Sequence, residues 1–217
     1  MLIKLIENEY PMMANCWLAY DEKSNEAAIV DACAFDEKIN TEKEIKSLGC
    51  EVKYVLLTHG HFDHILGAYG VQQTYGAKVV VHSADVPMLT DSGINLARVN
   101  GAEDVFNPVT PDIIVEDGDS LYLGNTEIKV MHTPGHTKGS VCYIVEDEKT
   151  VFSGDTLFCR TVGRTDFPGG STEELKNSIN KLLALEGDYR VLPGHNRETT
   201  LDSERVRNIF IRRMCRS

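Results

Sequence analysis

Residues 58–64 read Thr58-His59-Gly60-His61-Phe62-Asp63-His64 and follow the apolar run VKYVLL at 52–57. Metal-competent side chains therefore crowd one strand-to-helix turn. An extended backbone sends His59 and His61 to the same side, and the start of a helix turns Asp63 and His64 back towards a second point nearby. A structural zinc is normally closed by four ligands, often including thiolates, whereas a catalytic zinc has three and an open position. No cysteine takes part here. Four N/O donors on one turn do not easily surround a single ion, but they can give two ligands to each of two ions about 4 Å apart.

Two ions need further donors, and three later loop starts offer them: His136 in HTPGHT, Asp155 in FSGDT and His195 in LPGHN, each directly preceded by glycine. His59, His61 and His136 are then expected to hold one ion, and Asp63, His64 and His195 the other. Asp155 bridges them, because its two oxygens can serve two cations and its charge offsets theirs. His82 and His132 have no place in this set. Thr58 and Thr137 read equally well as hydroxyls that hold ligands or as turn caps.

Outward from this turn, LIKLIE, NCWLAYD and EAAIVDA read as three successive strands, a meander. A helix is expected at 41–48, with Thr41 and Glu44 at capping-box spacing and Gly49 to end it. KVVVH is the next strand, residues 84–90 make a helical turn or two, and the unpatterned stretch 91–111 is expected to lie over the site. The second half is expected to repeat the style, with strands at DIIVED, SLYLG, TEIKVMH, VCYIVED and TVFSG, then helix, strand and helix. Ser171 and Glu174 again have capping-box spacing, ahead of the stripe Leu175, Ile179, Leu182 and Leu183. The closing helix is expected to carry Val206, Ile209 and Phe210 on one face, with Arg205, Arg207, Arg212, Arg213 and Arg216 as a solvated one. Strand-rich halves that each end in helices predict an α/β fold: two packed sheets with helices outside, a four-layered αββα sandwich in a single domain over 1–217.

Composition sets the bounds. Of 217 residues, 42% are hydrophobic and 25% charged, the balance of a globular protein, and no apolar run is long enough to span a bilayer. The net charge of −11 opposes attraction to phosphate backbones, which argues against nucleic acid. The N-terminus has no leader pattern, and the six cysteines, Cys16, Cys33, Cys50, Cys142, Cys159 and Cys215, include no CxxC pair. They are read as reduced and mostly buried in a cytoplasmic protein without a membrane partner. Monomer and homo-oligomer are both open.

THGHFDH, with the later histidines and aspartate in the same order along nearly the whole chain, resembles the metallo-β-lactamase superfamily. A His after the Asp and an acidic Asp155 at the fourth motif are similar to its glyoxalase II branch, the hydroxyacylglutathione hydrolases. The resemblance implies two divalent ions, zinc first with iron or manganese compatible with the donors, and hydrolysis of S-D-lactoylglutathione or a related acyl-thiol. A metal-bridging hydroxide is the expected nucleophile, with Asp63 and Asp155 in the catalytic set. The residues alone imply metal-assisted hydrolysis of a small molecule, and a thioester suits it because a thiolate leaves without a strong general acid.

Two features depart from that branch. Full-length glyoxalase II enzymes carry a helical C-terminal domain that grips glutathione, and this chain is read as lacking it. Where glutathione-binding relatives carry a GCGKFYEG-like segment, residues 162–170 read VGRTDFPGG. Arg164 and Asp166 are the candidate substrate contacts there, Arg164 taking a carboxylate, with a local Arg164–Asp166 ion pair as the competing reading. GRTDF also resembles the persulfide dioxygenases, in which His59, His136 and Asp155 would hold one iron. An inactive member that keeps its metals as fold cement is the third class. Asp31, at the end of EAAIVDA, resembles a family position that supports the metal site from behind.

Overall fold

The structure is a computed structural model that describes residues 1–7, 13–35 and 40–214. Strands β1 (Leu2–Ile6), β2 (Cys16–Asp21) and β3 (Glu26–Val30) form the expected antiparallel meander. Helix α1 (Thr41–Leu48) leads into β4 (Glu51–Leu56), which lies parallel to β3. Two short helices, α2 (Phe62–Ile65) and α3 (Ala68–Tyr75), then carry the chain to β5 (Lys78–His82). After a 3-10 helix at Ser83–Leu89 and the loop beyond it, β6 (Ile113–Val115) closes a six-stranded sheet in the order β1-β2-β3-β4-β5-β6.

The second sheet runs β14-β13-β10-β9-β8-β7. Its strands are β7 (Ser120–Leu123), β8 (Thr126–His132), β9 (Val141–Val145), β10 (Thr150–Gly154), β13 (Arg190–Pro193) and β14 (Thr199–Thr200). Between β10 and β13 stand a small hairpin, β11 (Leu157–Phe158) with β12 (Thr161–Val162), and helix α4 (Thr172–Leu183). Helices α5 (Leu201–Arg207) and α6 (Ile209–Met214) end the described chain.

Alternation decides which face each residue serves. In β2, Trp17 and Ala19 point into the core between the sheets, where Leu56, Val80, Tyr143, Phe152 and Leu192 meet them, while Cys16 and Leu18 face the helical layer. That outer layer packs Ile45 of α1 and Val71 of α3 on the first sheet. On the second sheet the stripe Leu175, Ile179 and Leu182 of α4 covers Cys142, Ile144 and Val191. Helix, sheet, sheet and helix make the four-layered fold that the pattern of strands and helices predicts.

Several local expectations are corrected. DIIVED supplies β6, which pairs in parallel with β5 and so belongs to the first sheet. The cap of α1 is Asn40, without a side-chain bond, and Thr41 is its first helical residue; Gly49 does end the helix, at φ 62°. At α4 the Ser171 hydroxyl accepts from the Glu174 N–H, as its spacing predicts. The closing helix is two helices, broken where Asn208 turns extended and its carboxamide oxygen accepts from the N–H of Phe210 and Ile211. The break resets the helical phase, so Val206, Ile209 and Phe210 are 59%, 51% and 41% exposed while Leu201 and Ile211 are buried. Arg205 is no free charge either: it donates to the carbonyls of Leu183, Leu185 and Gly187 and so caps the end of α4.

Cys16, Cys33 and Cys142 are buried, Cys50 and Cys159 half-buried, and all five are free; Cys215 and Arg216 lie outside the described residues. Among the described residues no helix is long and apolar enough to cross a membrane.

Candidate metal centre

The seven candidate ligands stand beyond the C-terminal ends of four strands, five of them in loops and Asp63 and His64 in helix α2. His59, His61, Asp63 and His64 follow β4 of the first sheet; His136, Asp155 and His195 follow β8, β10 and β13 of the second. Three groups draw their ligand atoms within 4.8 Å of one another: His59, His61 and His136; His59, His64 and Asp155; and Asp63, His64 and His195. His61 Nδ1 lies 2.9 Å from His136 Nε2, and His195 Nε2 lies 3.1 Å from Asp63 Oδ2. Asp155 stands between the sets, Oδ1 3.4 Å from His64 Nε2 and Oδ2 3.5 Å from His136 Nε2 and 3.7 Å from His195 Nε2.

Hydrogen bonds behind the rings assign the tautomers. His64 Nδ1 donates to Asp31 Oδ2 at 2.9 Å, and His136 Nδ1 to the Arg164 carbonyl at 2.8 Å. The Thr58 hydroxyl donates to Asp31 Oδ2 at 2.8 Å, so it accepts from His59 Nδ1 at 3.2 Å. Each ring therefore directs its Nε2 to the centre, a lone pair wherever that nitrogen carries no proton. His59 Nε2, His64 Nε2 and Asp155 Oδ1 are buried there without a hydrogen-bond partner. Buried polar atoms are rarely left unpaired, and lone pairs converging on one point suit cations. The histidine and aspartate cluster is thus compatible with a dinuclear metal site.

The electrostatics agree. Burial, reinforced by the neighbouring imidazoles, holds His59 well below its usual pKa and brings His61 down to about 3, so both rings are neutral at pH 7. Burial alone would also lower His64, but the carboxylates of Asp31, Asp155 and Asp63 outweigh it and raise that ring to about 10. Burial opposes ionisation of Asp63, yet His64 and His195 hold its carboxyl at about 2. Three carboxylates around one imidazole make a place short of positive charge.

The glycine before His195 has a steric reason. A Cβ on Gly194 would stand 2.3 Å from Asp155 Oδ1 and 2.6 Å from His64 Cε1, so only glycine lets this loop approach the centre. The first sheet pins the same loop: Asn15 Nδ2 donates to the carbonyls of Pro193 and Asn196, and Trp17 Nε1 to that of Pro193.

His61, Asp63, His136, Asp155 and His195 line a cavity of about 640 Å³. Leu96 and Asn100, from the unpatterned stretch, line it, as do Phe62, Phe158 and Phe167. Asn95 anchors that stretch: its backbone carbonyl accepts from the Phe62 N–H, and its side chain donates to the Met88 carbonyl. Arg164 also lines the cavity, but its Nε and one terminal nitrogen grip Asp166 at 2.7 and 2.6 Å, the local ion pair, while the guanidinium lies over the Phe167 ring. His82 and His132 stack on each other at 4.0 Å outside these donor groups.

Sequence reasoning missed Asp85. Its side chain is 1% exposed and accepts from the N–H of Gly60 and Gly139 and from the Thr137 hydroxyl. Its three partners lie 25 to 54 positions away, so no local spacing signals it.

Comparison with known proteins bears on this centre. A family model described as metallo-beta-lactamase superfamily matches residues 10–195. Hydroxyacylglutathione hydrolase GloC of Haemophilus influenzae is 34% identical, over 91% of this chain and 92% of that protein. The human mitochondrial persulfide dioxygenase ETHE1 is 30% identical, over 92% of this chain and 72% of that one. Among solved structures, the BLEG-1 B3 metallo-beta-lactamase superposes with a TM-score of 0.84 at 34% identity, covering 97% of this chain and 99% of that one. TTHA1623 in a di-iron-bound form gives 0.82 at 29%, covering 95% and 100%.

Proposed function

The chain belongs to the metallo-beta-lactamase superfamily, and from that premise we propose that it is a dinuclear metal-dependent hydrolase of small acyl thioesters, S-D-lactoylglutathione or a related acyl-thiol. The observation that carries the reading is the convergence of unpartnered His59 Nε2, His64 Nε2 and Asp155 Oδ1, with Asp155 also lining a cavity large enough for such a molecule. His59, His61 and His136 would hold one ion, Asp63, His64 and His195 would hold the other, and Asp155 would serve both. Zinc is the expected occupant, and histidine and aspartate donors also admit iron or manganese. When bound, two divalent ions supply a water nucleophile at neutral pH and positive charge opposite the carbonyl oxygen.

The chain's own residues then orient and shield. Asp31 and Thr58 fix the rings of His64 and His59, so both Nε2 atoms are oriented before any ligand arrives. Phe62, Phe158 and Phe167 give the cavity apolar walls that limit bulk water around the scissile bond. A thiol with a pKa of about 8.5 leaves as thiolate, so the site needs no separate proton donor. The similarity to GloC supports a thioester of glutathione type.

Thiol release from S-D-lactoylglutathione by zinc-loaded protein, with Asp155→Ala as control, tests this directly. Release that depends on Asp155 supports the reading; an inert protein holding two ions rejects it. The similarity to ETHE1 and the GRTDF segment favour a second reading, a mononuclear iron persulfide dioxygenase using His59, His136 and Asp155. One iron per chain, with oxygen uptake driven by glutathione persulfide, would select it. A metal-loaded protein inert to both substrates is the inactive class, and nitrocefin cleavage would point instead to the activity named for BLEG-1.

A further inference from the structure

The two sets of donors come from two sheets, which leaves the gap between the β4 loop and the β8 loop to be set by something other than either sheet. A backbone bond from Val141 N–H to the Thr58 carbonyl joins the sheets beside the first loop, and the Tyr143 hydroxyl donates to the Leu57 carbonyl. Neither bond reaches residues 60–61 or 136–139. Asp85 does. It projects from the 3-10 helix after β5, and its Oδ2 accepts from Gly60 N–H at 3.0 Å and from Thr137 Oγ1 at 2.7 Å, while its Oδ1 accepts from Gly139 N–H at 2.7 Å.

Gly60 is the residue between His59 and His61, and Thr137 directly follows His136. One carboxylate thus touches the backbone of both loops that carry the three-histidine group. The contact is as close as the chain allows: a Cβ on Gly139 would stand 2.6 Å from Asp85 Cγ. The second group, Asp63, His64 and His195, has no bond to Asp85 and is held instead by Asp31, Asn15 and Trp17. Asp31 also reaches His59 through Thr58, but Asp85 bonds only the loops of the three-histidine group.

We propose that Asp85 is a positioning residue for the three-histidine ion, tying the His59–His61 loop to the His136 loop and leaving the other ion's donors untouched. The inference rests on the dinuclear reading above. All three of its partners are donors, so a carboxylate satisfies them and an amide cannot: Asp85→Asn turns an N–H group towards at least one of them. The ligands keep their identity and lose their spacing, and supporting groups of this kind typically change metal affinity by roughly 10- to 100-fold.

The test isolates the two ions. Of the two groups assigned to ions above, a His195→Ala background leaves intact only His59, His61 and His136, and a His136→Ala background only Asp63, His64 and His195; the shared His59, His64 and Asp155 are present in both. Zinc affinity is measured against a chelating dye in each, with and without Asp85→Asn. Asp85→Asn is expected to weaken zinc at least tenfold in the His195→Ala background and less than twofold in the His136→Ala background. Thr137→Val, which removes one of the three bonds, should fall between and guards against a variant that does not fold. Leu182→Ala, in the remote helix α4, controls for general destabilisation and should leave both affinities unchanged. Equal weakening in both backgrounds, or none in either, overturns the proposal alone. Fewer than two zinc ions on the wild-type protein rejects the dinuclear reading, and this inference with it.

Discussion

His64 Nδ1 donates to Asp31 Oδ2 across 2.9 Å, with both side chains buried and with Asp31 in a left-handed backbone conformation at φ 56°. Asp31 also accepts from the N–H and the hydroxyl of Thr58, so one carboxylate orients the rings of both His64 and, through Thr58, His59. Asparagine tolerates the same backbone but cannot accept at every position. Asp31→Asn should weaken the second zinc ion by roughly 10- to 100-fold. Zinc titration against a chelating dye reads this, and wild-type affinity for both ions would refute the orienting role.

Asp155 lies between the two groups of donors. Asp155→Ala should lower kcat for thioester hydrolysis by roughly 10²-fold or more, the scale of removing an electrostatic group from a reacting centre, and should reduce bound zinc. Steady-state kinetics with metal analysis checks both. Unchanged metal content with wild-type turnover would sink the two-ion reading.

The metal-free protein should be most stable near pH 6.5. His59 is held well below that value and His61 at about 3, so between pH 6.5 and 3 the unfolded chain binds protons that the folded chain refuses. Stability therefore falls as pH falls below 6.5. His64, raised to about 10, works in the opposite sense: its contribution is complete below 6.5 and is lost as pH rises towards 10. Urea unfolding of chelator-treated protein at pH 5, 6.5 and 8.5 should show the maximum, and a flat profile would contradict these environments.

Arg164 lines the cavity with its guanidinium engaged by Asp166 and stacked on Phe167. On the thioester reading it would touch the substrate's carrier rather than the reacting carbonyl. Arg164→Ala should raise KM and leave kcat within about twofold, the signature of uniform binding. A tenfold loss in kcat would put this side chain at the chemical step.

Leu182 of α4 is fully buried against the outer face of the second sheet. Leu182→Ala should destabilise the protein by about 2–5 kcal/mol through lost burial and the cavity left behind, lowering Tm by roughly 2–4 °C for each kcal/mol. Calorimetry of the metal-loaded variant measures it. A change below 1 kcal/mol would mean that this layer does not stabilise the fold.

The sequence carried the layers and the clustering of the candidate ligands because both are written in local pattern. Alternation in CWLAYD and the stripe Leu175, Ile179 and Leu182 report the face each element buries, and the histidines and aspartates stand where apolar strands end. What escaped was non-local or settled by small balances. Asp85 finds its partners from two other loops, so nothing within a few positions betrays it. The break at Asn208 depends on a side chain competing with the helix for backbone N–H groups, and it turned the predicted inward face of the last helix to solvent. DIIVED was misassigned to the second sheet because pairing of β6 with β5 is a property of topology, not of either strand.

Because the candidate ligands run from residue 59 to residue 195 and issue from both sheets, a centre built on them would act as a coincidence detector for folding. Neither sheet alone presents a complete group of three, so on the two-ion reading tight capture of an ion would wait until the two have docked. A bound ion would then resist the separation of the layers. At a free-ion concentration a thousand times Kd this linkage contributes about 4 kcal/mol. Chelation should therefore loosen the seam between the sheets before it loosens either sheet, and the hydrogen bonds of Thr58, Val141 and Pro193 that cross that seam are where exchange with solvent would begin.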